Sequence, residues 1–166
     1  MLSDLRWKPA LWAGLIAGAV FMIMEMLLVG TVGGDSLWAP PRMIAAIALG
    51  RDALPPPATF DMGILPTAMV IHFALSVIYA FVLGWAISRW RLGLAAAAVA
   101  GLGYGIAIYL VNFYGFTGLF PWFAMARNWI SVLSHAAFGL ILGSSYHVLA
   151  RQAFRKSREI IAEGDR

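Results

Sequence analysis

The run PALWAGLIAGAVFMIMEMLLVGTV, residues 9–32, decides the fold of this chain because it is long enough to cross a bilayer as one helix. Such a crossing takes about 20 consecutive apolar residues. Glu25 is the only charged residue in the run. A charged side chain inside a bilayer costs on the order of several kcal/mol unless it is paired. We therefore expect Glu25 to face protein rather than lipid, and to mark a site.

The composition of the whole chain is that of a membrane protein. Of its 166 residues, 61% are hydrophobic and 12% are charged, whereas soluble proteins carry about 25% charged residues. Three further apolar segments cover residues 63–87, 92–114 and 124–149. These segments predict an all-α, four-transmembrane-helix bundle formed by residues 1–150 as a single domain. A basic tail, residues 151–166, follows it.

The positive charges indicate the orientation of this bundle. The net charge is +4, but the basic residues follow the predicted loops rather than forming a nucleic-acid-binding surface. Because cytoplasmic loops carry the excess of Lys and Arg, both termini are predicted to be cytoplasmic. Nine basic residues fall on the side of the termini and three on the other: Arg6, Lys8, Arg89, Arg91, Arg151, Arg155, Lys156, Arg158 and Arg166, against Arg42, Arg51 and Arg127.

Aromatic residues support the same boundaries. Trp side chains are enriched where a helix passes from lipid to water, and the seven tryptophans fall near the predicted interfaces. They are Trp7, Trp12, Trp38, Trp85, Trp90, Trp122 and Trp129.

The absence of cysteine restricts the chemistry. It excludes disulfides, thiolate metal sites, thiol nucleophiles and covalent c-type haem attachment. The serines have no clear His–Asp partnership, and no phosphate-binding glycine loop follows a strand. The sequence therefore favours a protein that is not an enzyme.

The first external loop, residues 33–61, is long and rich in proline. Pro40 and Pro41 are suited to the start of a helix, and RMIAAIALG, residues 42–50, predicts a short helix lying at the membrane interface. The prolines at 55–57 predict an extended return. The loop is either a structural cap or a lid over a site, and Trp38 and Arg42 would belong to the lid.

A repeated spacing indicates two tandem helical hairpins. In the first and third predicted helices two glycines lie four residues apart and a polar residue follows seven later: Gly14, Gly18 and Glu25, then Gly101, Gly105 and Asn112. These offsets fall on one helix face, and small residues allow close contact between membrane helices. The glycine faces are therefore expected to point into the bundle.

Three ionisable residues are predicted to meet in the bundle interior. With a rise of about 1.5 Å per residue, Glu25, His72 and His135 all lie about 10–16 Å below the external surface. We expect Glu25 to pair with one or both histidines. Asn112 and Asn128 are expected to be polar neighbours of these three side chains.

Several functions are compatible with such a cluster. It could be a structural polar network, or Glu25, His72 and His135 could bind a transition metal. His72 and His135 could instead be axial ligands of a b-type haem. The cluster could also handle protons or cations, since imidazole titrates near neutral pH. The bundle could assemble as a homo-oligomer or as an accessory subunit of a larger membrane complex.

Four stretches resemble the YagU-type small inner-membrane proteins: GLIAG at 14–18, PPR at 40–42, HFALSVIYA at 72–80 and NWISVLSHAAFG at 128–139. The resemblance implies a multi-helix protein of the bacterial inner membrane whose biochemical activity is not established. His72 and residues 128–135 carry it best, whereas Glu25 matches poorly.

Overall fold

The computed structural model describes residues 6–54 and 56–164. Pro55 of the predicted proline run and Arg166 of the tail lie outside these ranges. The helices are α1 (Trp7–Thr31), α2 (Ala39–Leu49), α3 (Ile64–Arg89), α4 (Leu94–Leu110) and α5 (Trp129–Gly164). Short helical turns cover Arg51–Ala53, Val111–Gly115, Phe116–Gly118 and Pro121–Ala126.

Four helices are long and apolar enough to cross a membrane, which confirms the predicted fold class. The candidate spans are Trp7–Thr31, Ile64–Arg89, Leu94–Gly118 and Trp129–Glu163. Large apolar side chains also point outward, for example Val70 and Val99, each 71% exposed. Such an exterior is stable against lipid acyl chains but not against water.

The long helices pack in the order α3, α1, α5, α4. Helix α1 contacts both α3 and α5, and α4 lies along α5. The pairs α1–α3 and α4–α5 form two hairpins, as the repeat predicts. Helices α3 and α4, at the two ends of this order, share little contact. Tyr79 of α3 spans the space between them, with contacts to Tyr104 and Asn112.

Glycines determine how closely α4 and α5 approach. A Cβ atom at Gly105 would overlap the carbonyl oxygen of His135, and one at Gly139 would overlap that of Gly101. The backbones touch where side chains would otherwise separate them. In the other hairpin Gly18 packs against Ser76 of α3. The prediction that the glycine faces point inward is confirmed.

The predicted short helix of the first external loop is α2, which begins with prolines in its first turn. It ends at Gly50, whose φ of 80° is in the region that favours glycine. The loop then returns to α3, where Asp61 Oδ1 accepts hydrogen bonds from the N–H groups of Gly63 and Ile64. The bonds from Ile64 and Gly63 hold the pKa of the Asp61 carboxyl below its ordinary value of 3.8.

Two details of the sequence prediction need correction. The fourth predicted helix, 124–149, begins only at Trp129, because Asn128 caps its first turn by accepting a hydrogen bond from the Ser131 N–H. Trp122 is buried rather than interfacial, and its indole N–H donates to the Met43 carbonyl at 3.2 Å. This hydrogen bond connects the segment between α4 and α5 to α2. Trp7, Trp12, Trp90 and Trp129 are exposed, as expected of interface residues.

Candidate functional site

A cavity of about 640 Å³ lies beneath α2, inside the half of the bundle that contains the connections from α1 to α3 and from α4 to α5. All five helices contribute to its lining. Glu25, His72 and His135 line the same cavity, together with Asn112 and Asn128. The three ionisable side chains are 7%, 8% and 5% exposed, so none of them faces lipid. The three side chains therefore border one cavity.

The partner of Glu25 is a serine rather than a histidine. Ser131 Oγ donates a hydrogen bond to Glu25 Oε1 at 2.8 Å. Ser131 lies in the first turn of α5, where the helix dipole stabilises negative charge. Glu25 Oε2 is buried and has no hydrogen-bond partner among the described residues. Glu25 therefore pairs with Ser131 rather than with a histidine as expected, and only one of its two carboxylate oxygens accepts a hydrogen bond among the described residues.

His72 is oriented by the backbone of α1. Its Nε2 lies 2.9 Å from the carbonyl oxygen of Gly18. A ring nitrogen facing a carbonyl must carry the proton, so Nδ1 of the neutral imidazole is an acceptor. Gly18 makes this approach possible, since its missing side chain lets α1 and α3 come together.

His135 is oriented by its own helix. Its Nδ1 lies 2.7 Å from the Ser131 carbonyl, so Nδ1 carries the proton and Nε2 of the neutral ring is an acceptor. Phe21 packs against both imidazoles, with ring centroids 5.4 Å from His72 and 4.8 Å from His135. The aromatic ring of Phe21 is therefore a common neighbour of the two histidines.

The two asparagines have different neighbours. Asn112 follows α4 and accepts a long hydrogen bond, 3.5 Å, from the Tyr79 hydroxyl of α3. Asn128 is exposed, and its side-chain oxygen caps α5. Both border the cavity, but neither bonds to Glu25, His72 or His135 in the part of the chain that the structure describes. Asn128 instead bonds to Ser131, the residue that donates to Glu25, so it is a neighbour of the site at one remove.

The two predicted lid residues differ as well. Arg42 borders the cavity from α2. Its Nη1 donates to the Ala53 carbonyl at 2.9 Å and its Nε to the Thr59 carbonyl at 3.0 Å. Trp38 instead packs against Phe60, with ring centroids 5.1 Å apart, and is not one of the described lining residues. Arg42 therefore connects α2 to the returning segment above the cavity. Trp38 contacts the same segment without lining the cavity.

Neither a metal site nor a haem site is shown by the described residues. Within residues 6–54 and 56–164, no group of three or more His, Cys, Asp or Glu could hold a metal ion. The predicted ligand set of Glu25, His72 and His135 is therefore not among such groups. Each histidine keeps one ring nitrogen free of the backbone, His72 Nδ1 and His135 Nε2, and haem ligation by the two rings stays a prediction.

Ser131 and Phe21 are the main site residues that the sequence did not single out as partners. Ser131 lies four residues before His135, and Phe21 four before Glu25, so each shares a helix face with a predicted residue. The spacing could place them near the site. It could not show that Ser131 would reach across to another helix.

No protein-family model, curated protein or solved structure matches this chain. The resemblance to the YagU-type proteins stays a prediction that rests on the sequence motifs.

Proposed function

We propose that this membrane protein binds a hydrophobic organic molecule that carries an ammonium group, and that Glu25 recognises the ammonium. The observation that carries the proposal is the half-used carboxylate of Glu25 at the edge of a mainly apolar cavity. A buried acceptor without a partner costs about 1–3 kcal/mol. A ligand N–H group would remove that cost.

The charges and hydrogen-bonding groups of the cavity favour a cation. Two acids and one arginine border it, Glu25 and Asp35 against Arg42, which leaves one negative charge in excess when the histidines are neutral. Arg42 already donates to two backbone carbonyls. Because each histidine uses its N–H on a backbone carbonyl, it offers an acceptor to a ligand. A molecule with donors complements this lining.

The apolar lining indicates the rest of the ligand. Aromatic side chains are prominent in it, including Phe21, Phe113 and Phe123. Aromatic faces attract organic cations by about 0.5–2 kcal/mol, most strongly where water is excluded. An apolar body beside the ammonium would also fill the space between α1, α3 and α5.

The sparse contact between α3 and α4 supports entry of such a ligand from the bilayer. These helices share little contact, and the Tyr79–Asn112 bond is a long one. Tyr79 also approaches Tyr104, with ring centroids 6.3 Å apart. A molecule dissolved in lipid could reach the cavity by displacing these side chains rather than by raising α2.

Binding of a matched ligand pair tests the proposal. We would titrate the purified protein in nanodiscs with 2-(1-naphthyl)ethylammonium and with its neutral analogue 2-(1-naphthyl)ethanol. We expect the ammonium to bind more tightly. Glu25→Gln should weaken ammonium binding by about 10- to 100-fold, because it removes a charge-assisted hydrogen bond worth about 1.5–3 kcal/mol. Binding of the alcohol should change little.

Glu159→Gln is the matched control, since it makes the same change on an exposed part of α5 far along the helix from Glu25. It should bind both ligands like the unmodified protein. Equal affinity for ammonium and alcohol, or an ammonium affinity that Glu25→Gln leaves unchanged, would refute the role of Glu25.

Exchange of the ammonium for a proton is a second candidate function, favoured because one carboxylate can bind either cation. It corresponds to a small cation transporter. Reconstituted vesicles with a pH gradient should then accumulate the naphthyl ammonium, and Glu25→Gln should abolish the accumulation. Binding without accumulation would leave the protein as a binder or an accessory subunit.

We also propose that the protein lies in a bacterial inner membrane with both termini in the cytoplasm. The nine-to-three distribution of basic residues and the YagU-type motifs support this placement. Assembly into a homo-oligomer or a larger complex is compatible with it.

A further inference from the structure

A second pocket lies at the opposite end of the bundle, beside the turn that joins α3 to α4. Its volume is about 380 Å³. It is separate from the Glu25 cavity, since the two share no lining residue. Its lining comes from the end of α3, the turn and α5.

Two arginines and a histidine line this pocket. Arg91 enters from the turn, and His147 and Arg151 enter from α5. None of its described lining residues is acidic. Arg6 approaches as well, with its guanidinium 5.2 Å from the centre of the Phe154 ring that forms one wall. Helix α4 starts next to the turn and has no acidic residue in its first turn, so its dipole adds to the positive potential.

Tyr146 gives the pocket a fixed framework. The side chain is 1% exposed, and a Cβ atom at Gly84 would collide with its ring. Its hydroxyl lies 2.6 Å from Ser88 Oγ and accepts the backbone N–H of Arg6 at 3.3 Å. His147 Nδ1 contacts the Leu92 carbonyl at 3.1 Å, so α5 is attached to the turn. The polar groups of the framework are therefore used, whereas both arginines that line the pocket are exposed.

The position of the pocket is that of a lipid headgroup. Trp85 and Trp90 lie together near the turn, with ring centroids 6.4 Å apart, and Trp90 is 65% exposed. Exposed tryptophans of this kind mark the membrane–water interface. Ile87, Leu92 and Phe154 add apolar side chains to the same pocket, and Phe154 is 50% exposed. The lining therefore combines basic groups with apolar surface.

We propose that this pocket binds the phosphate group of an anionic phospholipid, with Arg91 and Arg151 as its ligands. Guanidinium groups bind phosphate oxygens through paired N–H donors, and basic pockets between membrane helices select anionic headgroups. The site is independent of the ammonium site at Glu25.

Native mass spectrometry of the full chain tests the proposal. The protein in detergent would be mixed with equal amounts of dioleoyl-phosphatidylglycerol and dioleoyl-phosphatidylcholine. We expect retained phosphatidylglycerol on the unmodified protein. The double variant Arg91→Gln/Arg151→Gln should lower its affinity by about 30-fold, since each basic residue at a membrane surface contributes roughly fivefold. Arg151→Lys, which keeps the charge, should retain most of the binding.

The double variant Arg155→Gln/Arg158→Gln is the matched control, because it removes the same charge from α5 outside the pocket. Thermal melting and gel filtration would establish that each variant is folded. Equal retention of the two lipids, or equal loss in both double variants, would overturn the site. Displacement of the lipid by excess inorganic phosphate, with phosphate itself retained, would overturn the assignment to a lipid.

Discussion

The Glu25 carboxylate lies within a candidate membrane-spanning helix and accepts one hydrogen bond, from the Ser131 hydroxyl. The residue type and its position predict a buried site, because a carboxylate in lipid must have a partner. The partner could not be predicted, since the histidines were the stronger candidates by charge. In the structure each histidine instead donates its ring N–H to a backbone carbonyl. Such choices depend on side-chain rotamers and on distances between helices, which a single sequence does not contain.

Ser131→Ala tests the importance of that hydroxyl. The variant leaves the whole Glu25 carboxylate buried without its donor, so we expect the free energy of unfolding to fall by about 1–3 kcal/mol. Thermal denaturation in detergent would measure the change. Ser144→Ala is the control, because the partly exposed Ser144 hydroxyl bonds to the Leu140 carbonyl of its own helix. Similar losses in the two variants would mean that the Ser131–Glu25 bond adds no stability.

At the scale of the helix, apolar length and glycine spacing predict most of the fold. The four crossings, the short helix α2 and the inward glycine faces all follow from the pattern of residues 9–149. The end of the third predicted helix does not follow from this pattern. The α-helix α4 ends at Leu110, and a π-helical turn and then a 3₁₀ turn continue the chain to Gly118. Those turns have no marked sequence signature. They depend on the packing of Phe113 and Trp122 beneath α2.

Gly105→Ala should separate α4 from α5. Its Cβ atom would overlap the His135 carbonyl, and overpacking of this kind costs about 1–3 kcal/mol. Gly103→Ala, on the same helix with open space around it, should be neutral or should stabilise by about 0.5–1 kcal/mol. Thermal melting of the two variants in one detergent gives the comparison. A stable Gly105→Ala variant would contradict the close contact of these helices.

At the scale of the whole molecule, four crossings place the N-terminus and the C-terminus of the chain on the same side of the membrane. The chain has no native cysteine, so a single introduced cysteine can be labelled without background. In cells with a permeabilised outer membrane, an impermeant maleimide should label Thr59→Cys and Gly118→Cys. It should not label Ser157→Cys until the inner membrane is broken. The reverse pattern would invert the proposed orientation, and labelling of all three would contradict the four crossings.

The two hydrogen bonds from Arg42 to backbone carbonyls have a consequence for the motion of the loop that covers the cavity. Ala53 and Thr59 lie on either side of the proline-rich return, and one guanidinium fastens both of them to α2. Substitution of Arg42 would therefore remove both of these attachments at once, whereas the Trp122–Met43 bond would still hold α2. We expect the proline-rich return to become more mobile than α2 in an Arg42→Gln variant.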